Sequence, residues 1–322
     1  MYPAIEDHGI IGNLRTAALV STDGTIDFFC PLRFDHATLF ASLLDEASGG
    51  SCLMRPVATS YRRKQFYIPD TNVLITRFLA PEGIAEITDF MPIAGNAEQT
   101  VIIRRVSVTR GQMQLRLHCQ PRFDYASVQH RTSASSKQVC FDGGDAGTLH
   151  VESDRSLLTI DGDAVSELHL QAGDHATFVL TFTRSANRQP ERQVEAAETL
   201  LQNTVRYWRS WVAECTYHGR WRETVLRSAL VLKLLTYEPT GAIVAAPTFA
   251  LPEQIGGVRD WDYRYTWLRD AAMTLNAFMR LGYHREAMHF MQWLKDIASS
   301  EAFAGELQIM YGIEGEKDLT ER

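Results

Sequence analysis

The chain has 322 residues, 45% of them hydrophobic and 22% charged, with a net charge of −7. Such a composition buries a core of ordinary size, and the length suits about two domains. An acidic chain whose longest basic run is Arg62-Arg63-Lys64 argues against nucleic acid as a partner, and no apolar stretch nears the ~18 residues of a membrane-spanning helix.

Residues Met1–His8 carry neither the basic nor the apolar region of a secretory signal. Cys30, Cys52, Cys119, Cys140 and Cys215 lie far apart, are odd in number and form no C-x-x-C pair. They read as reduced, buried thiols of a cytoplasmic protein, not as a disulfide framework or a zinc site.

From about residue 15 to 185 the apolar pattern has period two. A short helix is expected at about Ala37–Leu44. Val73–Ala80 and Ile84–Phe90, joined by Pro81-Glu82-Gly83, predict a hairpin. Met113, Leu115, Leu117 and Cys119 alternate with Gln112, Gln114, Arg116 and His118, as in a half-buried strand. Phe178, Leu180 and Phe182 alternate with threonines and Val179 in the same way. Arg110-Gly111, Gly143-Gly144 and Asp161-Gly162 punctuate further runs. Many short strands at this spacing predict an antiparallel β-sandwich.

From Pro190 the period becomes helical, and Trp208, Trp211, Trp221, Trp261, Trp267 and Trp293 all fall after residue 205. Val194, Leu201, Val205, Trp208 and Val212 share one face of a long connecting helix, with Pro190 in its first turn. A second helix has Trp221, Val225, Ala229, Leu232 and Leu235 at helical spacing and ends near Gly241. A third, about Thr266–Leu281, buries Leu268, Ala271, Ala272, Leu275, Phe278 and Met279. A fourth, about Arg285–Ser299, runs through Ala287, Phe290, Met291, Leu294 and Ile297.

The segment from Gly256 to Asp270 carries the chemical information. Trp261, Tyr263, Tyr265 and Trp267 recur at every second position, interleaved with Asp260, Asp262, Arg264, Arg269 and Asp270. Sugars present flat C–H faces and rings of hydroxyls, so their sites need aromatic platforms beside carboxylates and guanidinium groups. On a helical wheel Arg269 and Asp270 lie more than about 90° from the apolar stripe of the third helix. They face solvent or line a cleft. The same composition also suits a loop locked onto a core, where adjacent Arg-Asp pairs contribute little. No phosphate loop, dinucleotide fingerprint, zinc-protease motif or nucleophile elbow competes. His284 and His289 have no carboxylate arranged as a third ligand, so neither a metal nor any other cofactor is expected.

The sequence resembles glycoside hydrolase family 15, the glucoamylase-like and trehalase-like enzymes, in its bacterial two-domain form. The resemblance is carried by Ile11–Val20, Asp23–Asp27 and Pro31–Asp35, by Ala245–Thr248 and Leu251-Pro252-Glu253, and above all by Trp261–Asp270. Asp260 stands where Asn is usual, and Phe28-Phe29 where an Asp-Trp-Leu-Cys run is common. The resemblance implies an N-terminal β-sandwich (1–187), a linker helix (188–218) and the first helices of an (α/α)6 barrel (219–322). Arg269 and Asp270 would then hydrogen-bond a non-reducing glucose, and Tyr263 and Trp267 would stack and shape its pocket. Trp261, Asp262 and Tyr265 would support them. The implied reaction is inverting hydrolysis of an α-glucoside or trehalose by a carboxylic acid and a carboxylate base.

Twelve barrel helices with their loops need roughly 200 residues, and the stretch after Arg220 holds about half of that. Glu286, Glu301, Glu306, Glu314, Glu316 and Glu321 match neither catalytic position of the family, so the acid and base are expected beyond Arg322. An unfinished barrel is expected to expose apolar helix faces and to self-associate. Two other readings remain: a non-catalytic carbohydrate-binding or interaction fragment, and an inverting disaccharide phosphorylase.

Overall fold

The computed structural model of the chain describes residues 2–93, 98–184, 192–254, 257–299 and 305–319. Antiparallel strands come first: β1 (His8–Gly12), β2 (Ala17–Ser21), β3 (Thr25–Phe29), β4 (Ser51–Pro56), β5 (Arg62–Tyr67), β6 (Leu74–Ala80), β7 (Gly83–Phe90) and β8 (Gln99–Gln120). They continue with β9 (Arg131–Ser135), β10 (Gln138–Asp142), β11 (Thr148–Ser153), β12 (Leu158–Ile160), β13 (Asp163–Gln171) and β14 (His175–Thr183).

The 22-residue β8 organises this half. Its first part pairs with β7 and β14, and its second with β4 and β13. Arg110-Gly111, expected to end a run, lies inside it. Gly111 takes φ +66°, and a Cβ there would collide with the Glu82 carbonyl oxygen. Glycine thus lets the strand bend without breaking. Strands from both parts contribute to one apolar core, including Val20, Met54, Phe78, Val106, Leu117 and Phe178.

The alternation at Met113–Cys119 holds, with the four apolar side chains buried. The hairpin at Pro81 holds too, with Ala80 facing Gly83. Asp161 and Gly162, both at positive φ, make the two-residue turn between β12 and β13. Two expectations fail. Residues 37–44 form no helix: Phe40 bridges Phe29, whose N–H donates to the Phe40 carbonyl at 2.8 Å. Here tertiary pairing overrides local propensity. β14 is buried on both faces, because Val179 and its neighbours are covered by Val194 and Ala197.

The helical half comprises α1 (Ala197–Val212), α2 (Arg222–Leu234), a short strand β15 (Thr266–Trp267), α3 (Leu268–Leu281), α4 (His284–Ala298) and β16 (Met310–Tyr311). Pro190 and Gly256 lie outside the described residues. The buried stripe of α2 is Leu226, Ala229, Leu230 and Leu234, whereas Trp221 is 62% exposed beneath the Arg220 guanidinium. Gly241 closes a turn well past the end of α2, its N–H donating to the Tyr237 carbonyl. In α3 only Ala271 and Phe278 are fully buried, and Ala272 and Met279 are exposed. In α4 Phe290, Trp293 and Ile297 are buried and Met291 is exposed. These helices bury narrower stripes than their composition allows, and Met273, Met279, Met288 and Met291 face outward.

The two halves share a core. Leu14, Ala17 and Phe34 pack with Trp208, Leu230, Leu234 and Tyr237. The opening motif makes this contact: a Cβ on Gly12 would lie 2.9 Å from a methyl of Leu234, and the Leu14 carbonyl accepts from the Glu238 N–H. Asn72 donates to the Leu230 carbonyl at 3.1 Å, and the Arg227 guanidinium lies over the Tyr67 ring.

Candidate functional site

The chain enters α3 through a turn and bend at residues 263–265 followed by β15. Its backbone is held on one side by Ala245 and Ala246, whose N–H groups donate to the carbonyls of Tyr265 and Tyr263. On the other, Thr266 and Trp267 pair with Tyr311 and Met310. Within the turn the Arg264 N–H donates to Asp262 Oδ1 at 2.9 Å.

Arg264 points into the β half. Arg264 is buried and chelated by Asp262, with Nη2 2.7 Å from Oδ2 and Nε 3.0 Å from Oδ1. Its Nη1 donates to the His36 carbonyl at 2.8 Å and lies 3.5 Å from Cys30 Sγ. Its Nη2 also reaches the Tyr125 hydroxyl at 3.3 Å, and the guanidinium sits 4.1 Å from the centre of the Phe249 ring. Burial opposes the charge, but Asp262 outweighs it and holds Arg264 firmly protonated. Asp262, expected to support the sugar-binding residues, is committed to Arg264. Nothing in spacing alone marks Arg264 as the hub, because its other partners come from three separate stretches of chain.

The aromatics of the segment have other surroundings. The Tyr263 and Trp267 rings stack with centroids 6.0 Å apart and planes 28° apart. Trp267 Nε1 is buried without a hydrogen-bond partner. Tyr265 is half-buried, and burial pushes its hydroxyl pKa up. Trp261 is 49% exposed.

Arg269 and Asp270 follow in the first turn of α3, off its packing face as the wheel predicts. Arg269 Nε and Nη2 both donate to Asp270 Oδ2, at 3.2 and 3.1 Å. Their side chains are 72% and 38% exposed, so both polar heads are open to a ligand. Asp270 also sits where the helix dipole favours a negative charge. The arrangement combines a flat aromatic surface with a donor and an acceptor at one helix entrance.

The glutamates that follow have other partners. Glu286 is buried and accepts from Trp211 Nε1 at 2.7 Å and Lys233 Nζ at 3.0 Å. Glu314 and Glu316 meet Arg33, which also holds Asp35 bidentately. Glu306 is exposed, and Glu301 and Glu321 lie outside the described residues. Among the described residues no group of His, Cys, Asp and Glu could hold a metal ion, and no helix is long and apolar enough to cross a membrane. A cavity of about 320 Å³ beside Gln112, Gln114 and His169, and an open groove of about 720 Å³ along α1, take no residue from the 257–270 segment.

Comparison with known proteins places the chain. The sequence model for glycosyl hydrolases family 15 matches residues 219–322, and that for the trehalase-like N-terminal region matches residues 2–199. The second model spans more than half of the chain, which therefore belongs to the trehalase-like family it describes, and the first ties residues 219–322 to glycosyl hydrolases family 15. It is 35% identical to a trehalase of Thermoplasma volcanium over 100% of its own length and 51% of that protein's. It is 31% identical to a trehalase of Mycolicibacterium smegmatis, covering 99% of this chain and 51% of the other. The chain thus spans about half the length of the curated relatives it matches. A bacterial glucoamylase solved with acarbose superposes with a TM-score of 0.71 at 13% identity, over 99% of this chain and 53% of that one. That likeness is one of fold.

Proposed function

We propose that the chain forms the sugar-recognising part of an inverting α-glucoside hydrolase that acts on trehalose or the non-reducing ends of α-glucans. One observation carries the reading: within the stretch matched by the family, the stacked Tyr263 and Trp267 rings lead directly into the first turn of α3, which bears an exposed Arg269–Asp270 pair. Asp270 would accept from sugar hydroxyls and Arg269 would donate to them, while the rings cover a C–H face. Trp261 and Tyr265 would border the pocket, and Asp262 would support it through Arg264.

In this reading residues 1–187 are a β-sandwich, 188–218 a linker, and 219–322 the opening helices of an (α/α)6 barrel. The superposition on the glucoamylase supports that division. Glu286, Glu314 and Glu316 are held by Lys233 and Arg33, so the acid and base are assigned to the part of the relatives that this chain does not span. The free thiols support a cytoplasmic setting, and the outward methionines of α3 and α4 support self-association.

Titration calorimetry with glucose, trehalose and maltose tests the site. Binding lost in Asp270→Asn and Trp267→Ala supports it; binding unchanged in both overturns it. In a version carrying the C-terminal half, Asp270→Ala should reduce kcat/KM on trehalose and maltose by at least about 10³-fold, the scale of losing groups that strengthen in the transition state. Saturable binding with no turnover in that longer version would favour the non-catalytic reading, which the commitment of the described glutamates also suits. Turnover only with added phosphate would favour a phosphorylase.

A further inference from the structure

Two buried thiols in the β half take no part in that reading. β4 and β8 run antiparallel with Cys52 opposite Cys119. Just beyond this register the Val57 N–H donates to the Gln114 carbonyl at 3.0 Å, which marks residues 57 and 114 as a hydrogen-bonded pair. Such pairs alternate with non-hydrogen-bonded ones. Counting back, Arg55/Arg116, Leu53/His118 and Ser51/Gln120 are hydrogen-bonded, while Pro56/Leu115, Met54/Leu117 and Cys52/Cys119 are not. Pro56, which has no N–H, fits only that second set. The Cys52 carbonyl is then turned away from the paired 115–120 part of β8 and accepts from Arg104 Nη1, in the first part of that strand, at 2.5 Å.

Non-hydrogen-bonded partners have Cα atoms about 4.5 Å apart and side chains on the same face, within the range that a disulfide spans. Cys52 and Cys119 therefore face each other across the ladder, both fully buried. Arg104 Nη1 lies 3.7 Å from the Cys52 sulfur. The hydrogen bond from Cys119 and the Arg104 charge favour thiolate on Cys52 despite its burial, whereas burial and the bond to Cys52 push Cys119 up. One sulfur is therefore prepared to attack and its neighbour to resolve. Cys30, by contrast, is pushed up to about 11 by burial.

We propose that Cys52 and Cys119 are a site of oxidative modification that hydroperoxides convert to a cross-strand disulfide. The Cys52 thiolate attacks the peroxide O–O bond and forms an S–O bond. The O–O bond breaks as it does so, and with hydrogen peroxide the leaving hydroxide takes up one proton and departs as water. The Cys119 sulfur then attacks the sulfenic acid, the S–S bond forms as the S–O bond breaks, and a second water leaves. Two thiols and one hydrogen peroxide give one disulfide and two waters. Both thiols are shut off from solvent, so the reaction proceeds during local opening of β4, whose register with β3 covers only Thr25/Leu53 and Ile26/Cys52. A small uncharged oxidant suits that route; a bulky disulfide such as oxidised glutathione does not.

The test treats the folded 322-residue chain with hydrogen peroxide, alkylates it under denaturing conditions and maps peptides without reduction. A linked Cys52–Cys119 peptide, cleaved by dithiothreitol and accompanied by a thermal midpoint several degrees higher, is expected. Cys140→Ser should keep the link, and Cys119→Ser should lose it while leaving Cys52 sulfenylated and reactive toward dimedone. Full alkylation of both residues after peroxide, or linkage of either to a different cysteine, would overturn the proposal. Mapping the unmodified chain decides between these outcomes even if the variants fold poorly.

Discussion

The Arg264 guanidinium lies within hydrogen-bonding reach of the Tyr125 hydroxyl, at 3.3 Å, across the junction of the strand-rich and helical halves. Tyr125 reaches it from an unusual turn: Asp124, Tyr125 and Ala126 have φ of 48°, 57° and 64°. Left-handed conformations disfavour residues with a Cβ by roughly 1–2 kcal/mol each. The turn is retained by the Ser127 N–H and hydroxyl, both donating to the Asp124 carbonyl, and by the Tyr125 ring edge on Phe249. Ala126→Gly should therefore stabilise the chain by about 0.5–1 kcal/mol. Arg264→Lys, which loses the fork that holds Asp262, should destabilise it by about 2 kcal/mol. Urea denaturation with matched m-values measures both, and a stabilising Arg264→Lys would refute this account of the junction.

His8 supplies a pH dependence. Its Nδ1 lies 2.9 Å from the Ala4 carbonyl and its Nε2 2.7 Å from Asp27 Oδ2, so each nitrogen has an acceptor and the imidazolium is satisfied. Burial disfavours the charged ring, but the bond and charge of Asp27 outweigh it and raise the pKa. A raised folded-state pKa gives stability that is fully present below the unfolded value of about 6.5. That stability is lost as pH rises through the folded value. His8→Gln should remove this alkaline loss, at a cost of about 1–2 kcal/mol at pH 6. Thermal midpoints of the two proteins from pH 5 to 9 should converge on the alkaline side; parallel curves would count against it.

Glu286 works in the opposite direction. Burial raises its pKa, but Lys233 and the Trp211 N–H more than offset this, leaving it below the ordinary glutamate value. Its contribution is present above about pH 4.5 and is lost as pH falls through the folded value. Glu286→Ala leaves Lys233 with little access to water and unpaired, and should cost about 3 kcal/mol. Glu286→Gln keeps an acceptor for Trp211 and should cost less. Circular dichroism melts at pH 7 and pH 3.5 read both effects, and equal losses at the two values would contradict the pairing.

Asp270 and Arg269 are expected to matter little for folding. An exposed adjacent pair contributes at most about 1 kcal/mol, so Asp270→Asn and Arg269→Gln should melt almost with the parent chain. A large drop in midpoint would show that the pair is a structural lock, and any loss of sugar binding would then be secondary.

The period-two pattern revealed β8 where only one face is buried, as at Met113–Cys119. It failed at β14, where threonines and Val179 are covered by the start of the helical half. Local sequence cannot anticipate a second layer arriving from residues 194–197. The helix stripes drifted for a related reason: Trp221 and Met291 are as apolar as core residues but stay exposed, whereas Trp293 and Leu226 are buried. At the candidate site the wheel located Arg269 and Asp270 off the packing face. Arg264 was legible only as one charge among several, because His36, Tyr125 and Phe249 converge on it solely through the fold.

The long central strand has a consequence for synthesis. β8 finds its neighbours at both ends of the β half, in β4 and β7 behind it and in β13 and β14 ahead. While the chain emerges from the ribosome, its later hydrogen-bonding edge stays bare until Thr183 has cleared the exit tunnel. During that interval the nascent chain carries an open template for unwanted pairing with other strands. Slow elongation between residues 120 and 183 should lengthen that exposure and lower the yield of soluble product.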